Sequence, residues 1–334
     1  MLTWATLDEW HYQVSLELRT ALNSCGRKAA ALHRDMLQQG RPVRTSAGSF
    51  QNALTPSTDT HHLRLDEFWS VLDLINNKPV LHSICRQLDL LIAPLPLFTE
   101  DPQADLLGAF SDRNGELAET QHLLVSVINR TTKETVDGAR QSLLREIYED
   151  FCESLSLLFK LEQACLARQG GGIVDADADW RKRYEIFQCN VRVKLQNLRQ
   201  QGSSLNGLSH RVLGAALESD RCPLLSVPNF LKLLFLDQSR GLAKAFAESL
   251  GYRLGPLPIL DWQPEKQDLI QSYSQLESRQ ADTAEKISNA LRDRQITQAE
   301  LSEIYQELVD EHQAQVSLVM NSGALPRPAK HGKF

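Results

Sequence analysis

The residues able to do chemistry in this 334-residue chain are few, and most lose their promise on inspection of their neighbours. His61-His62 looks like a metal pair, but adjacent side chains point apart on most backbones and no Cys or carboxylate cluster joins them. Asp66-Glu67 reads as the acidic first turn of a helix, favourable to its dipole, rather than a catalytic pair. "SAGSF" (Ser46–Phe50) mimics a nucleophile turn without a strand before it, and no phosphate-loop, dinucleotide-loop or zinc-protease pattern occurs. The cysteines (Cys25, Cys85, Cys152, Cys165, Cys189, Cys222) lie far apart and read as reduced, buried thiols. No catalysis, cofactor or metal is expected. The chemistry left is hydrogen bonding by Ser46, Ser49, Gln51 and Asn52, within a stretch carrying Arg27, Lys28, Arg34, Arg41 and Arg44.

Those residues need two helices to position them. In "RKAAALHRDMLQQGRPVRTSAGSFQNALTP" (Arg27–Pro56) a first helix carries Ala30, Ala31, Leu32 and Met36. A polar break with Gly and Pro follows, and Thr45 or Ser46 caps a short second helix with Ala47, Phe50, Ala53 and Leu54 inward. This is the layout of a helix-turn-helix, with a turn long for that motif. Early polar residues of the second helix would meet base edges: Gln and Asn can bond two atoms of adenine, and Ser most bases. Arg27, Lys28, Arg34, Arg41 and Arg44 would hold phosphates.

The larger frame is written twice. Phe68–Pro96 and Phe230–Pro258 align at an offset of 162, with seven identities in 29 positions that include "PLP" in both. Downstream, "DGARQSLLREIYEDF" (Asp137–Phe151) matches "RQITQAELSEIYQEL" (Arg294–Leu308) through "EIY", and upstream Trp10 has a counterpart in Trp180. Apolar periodicity predicts helices at Asp8–Ser24, Arg27–Gln38, Ser46–Leu54, Leu65–Ile75, Val80–Leu88, Asn114–Thr131 and Ser142–Ala167, and an extended run in "LDLLIAPLPLF". The fold class is all-α: two tandem repeats, each a small helix-turn-helix-like domain followed by a long antiparallel helical hairpin. The predicted boundaries are 1–100 and 101–168, a linker at 169–179, 180–260 and 261–320, and a disordered tail at 321–334.

With these residues in view, "ALTP" (Ala53–Pro56), "HHLRLDEF" (His61–Phe68) and "LDLLIAPLP" (Leu88–Pro96) resemble the phage regulatory protein CII family. The resemblance implies a DNA-binding transcription regulator of temperate phages that works as an oligomer. Family members usually hold one unit where this chain holds two; Ala53 stands for the Lys of the family's "KLNP", and Thr55 for its Asn. In the second repeat "SSLNGLSHRVLGAALES" (Ser203–Ser219) occupies the reading position, with His210 and Arg211 as candidates on a Gly/Ala-rich face.

Two readings of partners stay open. The arginines favour double-stranded DNA. The net charge of −6 and the altered second unit favour a duplicated scaffold for a protein partner. "WRKRYEIFQCNVRVKLQNLRQQ" (Trp180–Gln201) is a basic stretch for phosphates or an acidic partner, or a solvated face beside an aromatic staple. Apolar stripes along the hairpins predict a homo-oligomer, or a pseudo-dimer within one chain. A polar N-terminus and the lack of a long apolar run predict a cytoplasmic protein away from membranes.

Overall fold

The computed structural model describes residues 4–55, 62–95, 102–129, 136–168, 179–200, 225–257, 269–292 and 296–321. Among them run helices α1 (Trp4–Ser24), α2 (Ala29–Gln38), α3 (Ala47–Ala53), α4 (Leu65–Leu74) and α5 (Lys78–Gln87), then strand β1 (Leu90–Pro94) and helices α6 (Pro102–Asn129) and α7 (Val136–Arg168). The second repeat supplies α8 (Trp180–Gln200), α9 (Val227–Leu236), α10 (Gly241–Ser249), β2 (Tyr252–Pro256), α11 (Leu269–Arg292) and α12 (Gln298–Asn321). The expected all-α duplicated fold is present, with β1 and β2 paired in a two-stranded sheet. No described helix is long and apolar enough to cross a membrane.

Local chemistry sets the boundaries. α1 buries Trp10, Val14 and Leu18, four residues apart on one face. α2 stops where Gly40 takes a left-handed turn (φ 67°), with Arg41 N–H donating to Met36 O and Gly40 N–H to Leu37 O. Ser46 caps α3 by accepting from the Ser49 N–H. Before α12, Thr297 and Glu300 form a reciprocal capping box.

Three expectations change. The first long hairpin helix begins at Pro102, not Asn114: Pro suits a first turn that needs no N–H, and Gly108 and Gly115 dilute the periodic signal inside a real helix. The buried counterpart of Trp10 is Phe187, not Trp180, because Phe187, Val191 and Leu195 reproduce on α8 the spacing of Trp10, Val14 and Leu18. Among the described cysteines, Cys85 and Cys152 are buried, but Cys25 and Cys189 are exposed.

Two compact units form, and each draws on both repeats. One joins Met1–Ile92 to Asp177–Leu254; the other joins Ala93–Ala176 to Gly255–Phe334. In the first, α1 packs on α5, and α8 on α10 in the same way. The segments entering α4 and α9 meet antiparallel. Leu65 N–H donates to Leu225 O at 2.7 Å, and Val227 N–H to Leu63 O at 3.0 Å. Arg64 thus faces Ser226, its equivalent 162 positions on, which marks a local two-fold axis. Behind it Phe68, Phe187, Phe230 and Phe246 stack into an aromatic core.

In the second unit the hairpins α6–α7 and α11–α12 close one core. Leu106, Ala109, Leu157 and Leu161 pack with Ile287, Ala290, Ile304 and Leu308. Through this core runs a polar chain. Arg113 pairs with Glu311 and donates from Nε to Ser154 at 3.2 Å; Ser154 Oγ lies 2.9 Å from His312 Nε2. His312 Nδ1 donates to Gln315 Oε1, and Gln315 donates to Asp150. Burial holds His312 down to about 4 and raises Asp150 to about 7.

Candidate nucleic-acid interface

The helix-turn-helix candidate lies in the first unit and is built on one ion pair. Glu67, fully buried near the start of α4, accepts from the Arg44 backbone N–H at 2.8 Å and from its Nε at 2.8 Å and Nη2 at 2.6 Å. It also accepts from the Arg64 N–H at 3.0 Å. Arg44 donates further to His62 O and reaches Ser49 on α3, while His33 on α2 donates to Arg44 O at 2.7 Å. One arginine therefore ties α2, α3 and α4 together. Burial pushes Glu67 up and the surrounding donors, Arg44 foremost, pull it further down, leaving it below the ordinary glutamate value; the Glu67 hydrogen bond raises Arg44 in turn. His33 and Phe50 pack beneath, ring centroids 5.6 Å apart.

This corrects two expected phosphate contacts. Arg44 is tied to Glu67. Arg41 is 8% exposed, pairs with Asp73 at 2.7 Å and lies 4.6 Å over the Trp180 ring. Both arginines hold the head together instead of facing outward. Asp66-Glu67 does more than complement a dipole: Asp66 is raised to about 6, chiefly by burial, and Glu67 is the anchor. The carboxylates that hold Arg44 and Arg41 lie 23 and 32 residues away, which local pattern does not register.

Most of the other described candidates are exposed. Arg27, Lys28 and Arg34 face solvent, Arg27 lying 3.6 Å from Asp35. On α3, Phe50 points inward, which turns Gly48 and Asn52 outward and sets Ser49 and Gln51 on the flanks. Ser46, Gln51 and Asn52 are exposed; Ser49 is half-buried and holds Arg44. Two residues went unnoticed in the sequence. Gly48 leaves the outward side of α3 bare, since an added Cβ would meet only Ser46 Oγ at 3.9 Å. Arg19, on α1, lines an open groove of about 540 Å³ with Arg27, Lys28, Gln51 and Thr55. Hydrophobic periodicity places Arg19 on an exposed helix face but does not bring α1 beside α3. His210, Arg211 and His61 lie outside the described residues.

The groove gathers three cations beside amide and hydroxyl groups on one exposed edge, a composition suited to a phosphate backbone with base edges beside it. The family model described as phage regulatory protein CII (CP76) matches residues 29–160 and again 204–322. Among curated proteins and solved structures, no match to the chain was found. The first match begins at the start of α2 and takes in the whole candidate head, and the two matches together cover most of the sequence, so the chain belongs to the phage regulatory protein CII family, with the family's unit present twice.

Proposed function

We infer that the chain is a transcription regulator that binds double-stranded DNA through the α2–α3 head of its first repeat. The observation that carries this is the exposed polar rim of α3 beside the Arg19–Arg27–Lys28 groove, on a head pinned by a buried arginine–glutamate pair. Asn52, Gln51 and Ser46 would read base edges across the bare backbone of Gly48. Arg19, Arg27, Lys28 and Arg34 would fix register on phosphates. Among the described residues, the apolar faces of the two hairpins pack on each other within the chain, which favours action as one copy over a homo-oligomer through those faces. The site of action is the cytoplasm, where thiols such as those of Cys25, Cys85, Cys152 and Cys189 stay reduced.

The test is selection of bound duplexes from a random library, followed by a salt titration. A motif should emerge, with affinity falling steeply as salt rises. Replacing Arg19, Arg27 and Lys28 by Ala should reduce the salt slope by about 0.9 for each phosphate no longer neutralised and leave the selected motif unchanged. Asn52→Ala should instead relax the motif at one position with the slope preserved. Recovery of no duplex would overturn this reading in favour of a scaffold for a protein partner.

A further inference from the structure

The second repeat touches the first where the reading helix is aimed. The connection from α2 to α3 passes through Gly40 and Arg41, and α8 of the second repeat lies against it. The Arg41 guanidinium sits 4.6 Å over the Trp180 ring. Asp73 accepts from Arg41 at 2.7 Å through one oxygen and from Arg183 at 2.9 Å through the other. Arg183 also donates to Ser249 O at 2.8 Å and lies over Trp69. A side chain at Gly40 would meet the Arg181 guanidinium 3.9 Å away.

We propose that α8 is a built-in brace: Trp180 and Arg183 position the reading helix of the first repeat by holding Arg41 and Asp73, so the second repeat serves the specificity of the first. This rests on the DNA-binding reading above. The basic character of α8 supports it, because Arg183 and Lys194 are used inside the unit, on Asp73 and Asp237. The mechanism is geometric. Bidentate base contacts depend on helix placement far more than phosphate contacts do, so a loosened brace removes discrimination before it removes affinity.

Trp180 is half-buried, so Trp180→Ala should fold, which thermal unfolding checks. In the free full-length protein, amide exchange over 39–46 should speed up in Trp180→Ala and stay slow in Trp180→Phe, which keeps an aromatic face under Arg41. On the selected duplex, Trp180→Ala and Arg183→Gln should lose about tenfold in preference over random duplex, with the salt slope unchanged. Unchanged exchange and unchanged preference would overturn the brace. Equal loss on both duplexes with a shallower slope would also overturn it, by showing that α8 touches phosphates directly. A wild-type chain that binds no duplex would overturn both the regulator and the brace's role in specificity, and the exchange result would then report a structural contact only.

Discussion

Glu67 is a carboxylate with no exposure, and it stays charged because donors surround it. Removing them should be costly: Arg44→Ala takes away the guanidinium that pairs with this buried charge and two of its four hydrogen bonds, leaving the backbone N–H groups of residues 44 and 64, and should lower stability by about 3–5 kcal/mol in urea unfolding. The pH dependence follows from the direction of the shift. Glu67 is held below its ordinary value, so its contribution is complete above that value and fades as pH falls through its folded pKa. Asp66 runs the other way. Raised to about 6, it binds its proton more readily folded than unfolded, so it subtracts stability as pH rises from the ordinary aspartate range through about 6. Asp66→Asn should therefore raise stability at pH 7, on the order of 2 kcal/mol, and do little at pH 3, a contrast that urea titrations at the two pH values would show.

At the scale of elements, the repeat is legible because it is local. Ala93-Pro94 and Gly255-Pro256, which open "APLP" and "GPLP", become the ends of β1 and β2, paired as neighbours. The left-handed turn before each strand is also repeated, as Asp89 (φ 56°) and Gly251 (φ 85°). The two copies differ where their surroundings differ. Ala93 is fully buried, whereas a Cβ at the matching Gly255 would lie 3.0 Å from both methyls of Leu155. Gly255→Ala should then cost about 1 kcal/mol, and Leu155→Ala in the same chain should make that substitution nearly neutral, as a double-mutant cycle would register. Helix identity, the α3 cap and the inward side of α3 could be read from periodicity and cap residues. The roles of Arg41, Arg44 and Arg183 could not. An arginine looks the same in sequence whether it meets a phosphate or a buried aspartate far along the chain. The groove escaped for the same reason: Arg19 joins Lys28 and Gln51 only after α1 has packed against the head.

For the whole molecule, the bundle core carries a cancellation. His312, held at about 4, keeps the folded state short of a proton as pH falls below its ordinary value near 6.5. Asp150, at about 7, gives the folded state an extra proton above its ordinary value near 3.8. Between about pH 4 and 6.5 these proton differences are opposite and nearly equal, so the bundle's stability should be flat in that window. Asp150→Asn should expose the histidine, making stability fall on acidification by up to about 1.4 kcal/mol per pH unit. His312→Gln should reverse the slope. Calorimetry of the full chain at several pH values would check both signs.

The meeting of Arg64 with Ser226 has a consequence for how such a molecule can diverge. In a dimer of identical chains, a residue on the two-fold axis faces its own copy, and arginine there would set two guanidinium groups against each other. Joining the copies end to end lifts that restriction, because each side of the axis has its own codon. Serine fills one side, and Arg64 turns to Asp66 at 3.3 Å and Glu67 at 3.5 Å. Every pair related by the axis gains the same freedom, so one half can keep the face that meets a ligand while the other drifts toward a supporting role that no homodimer could hold apart.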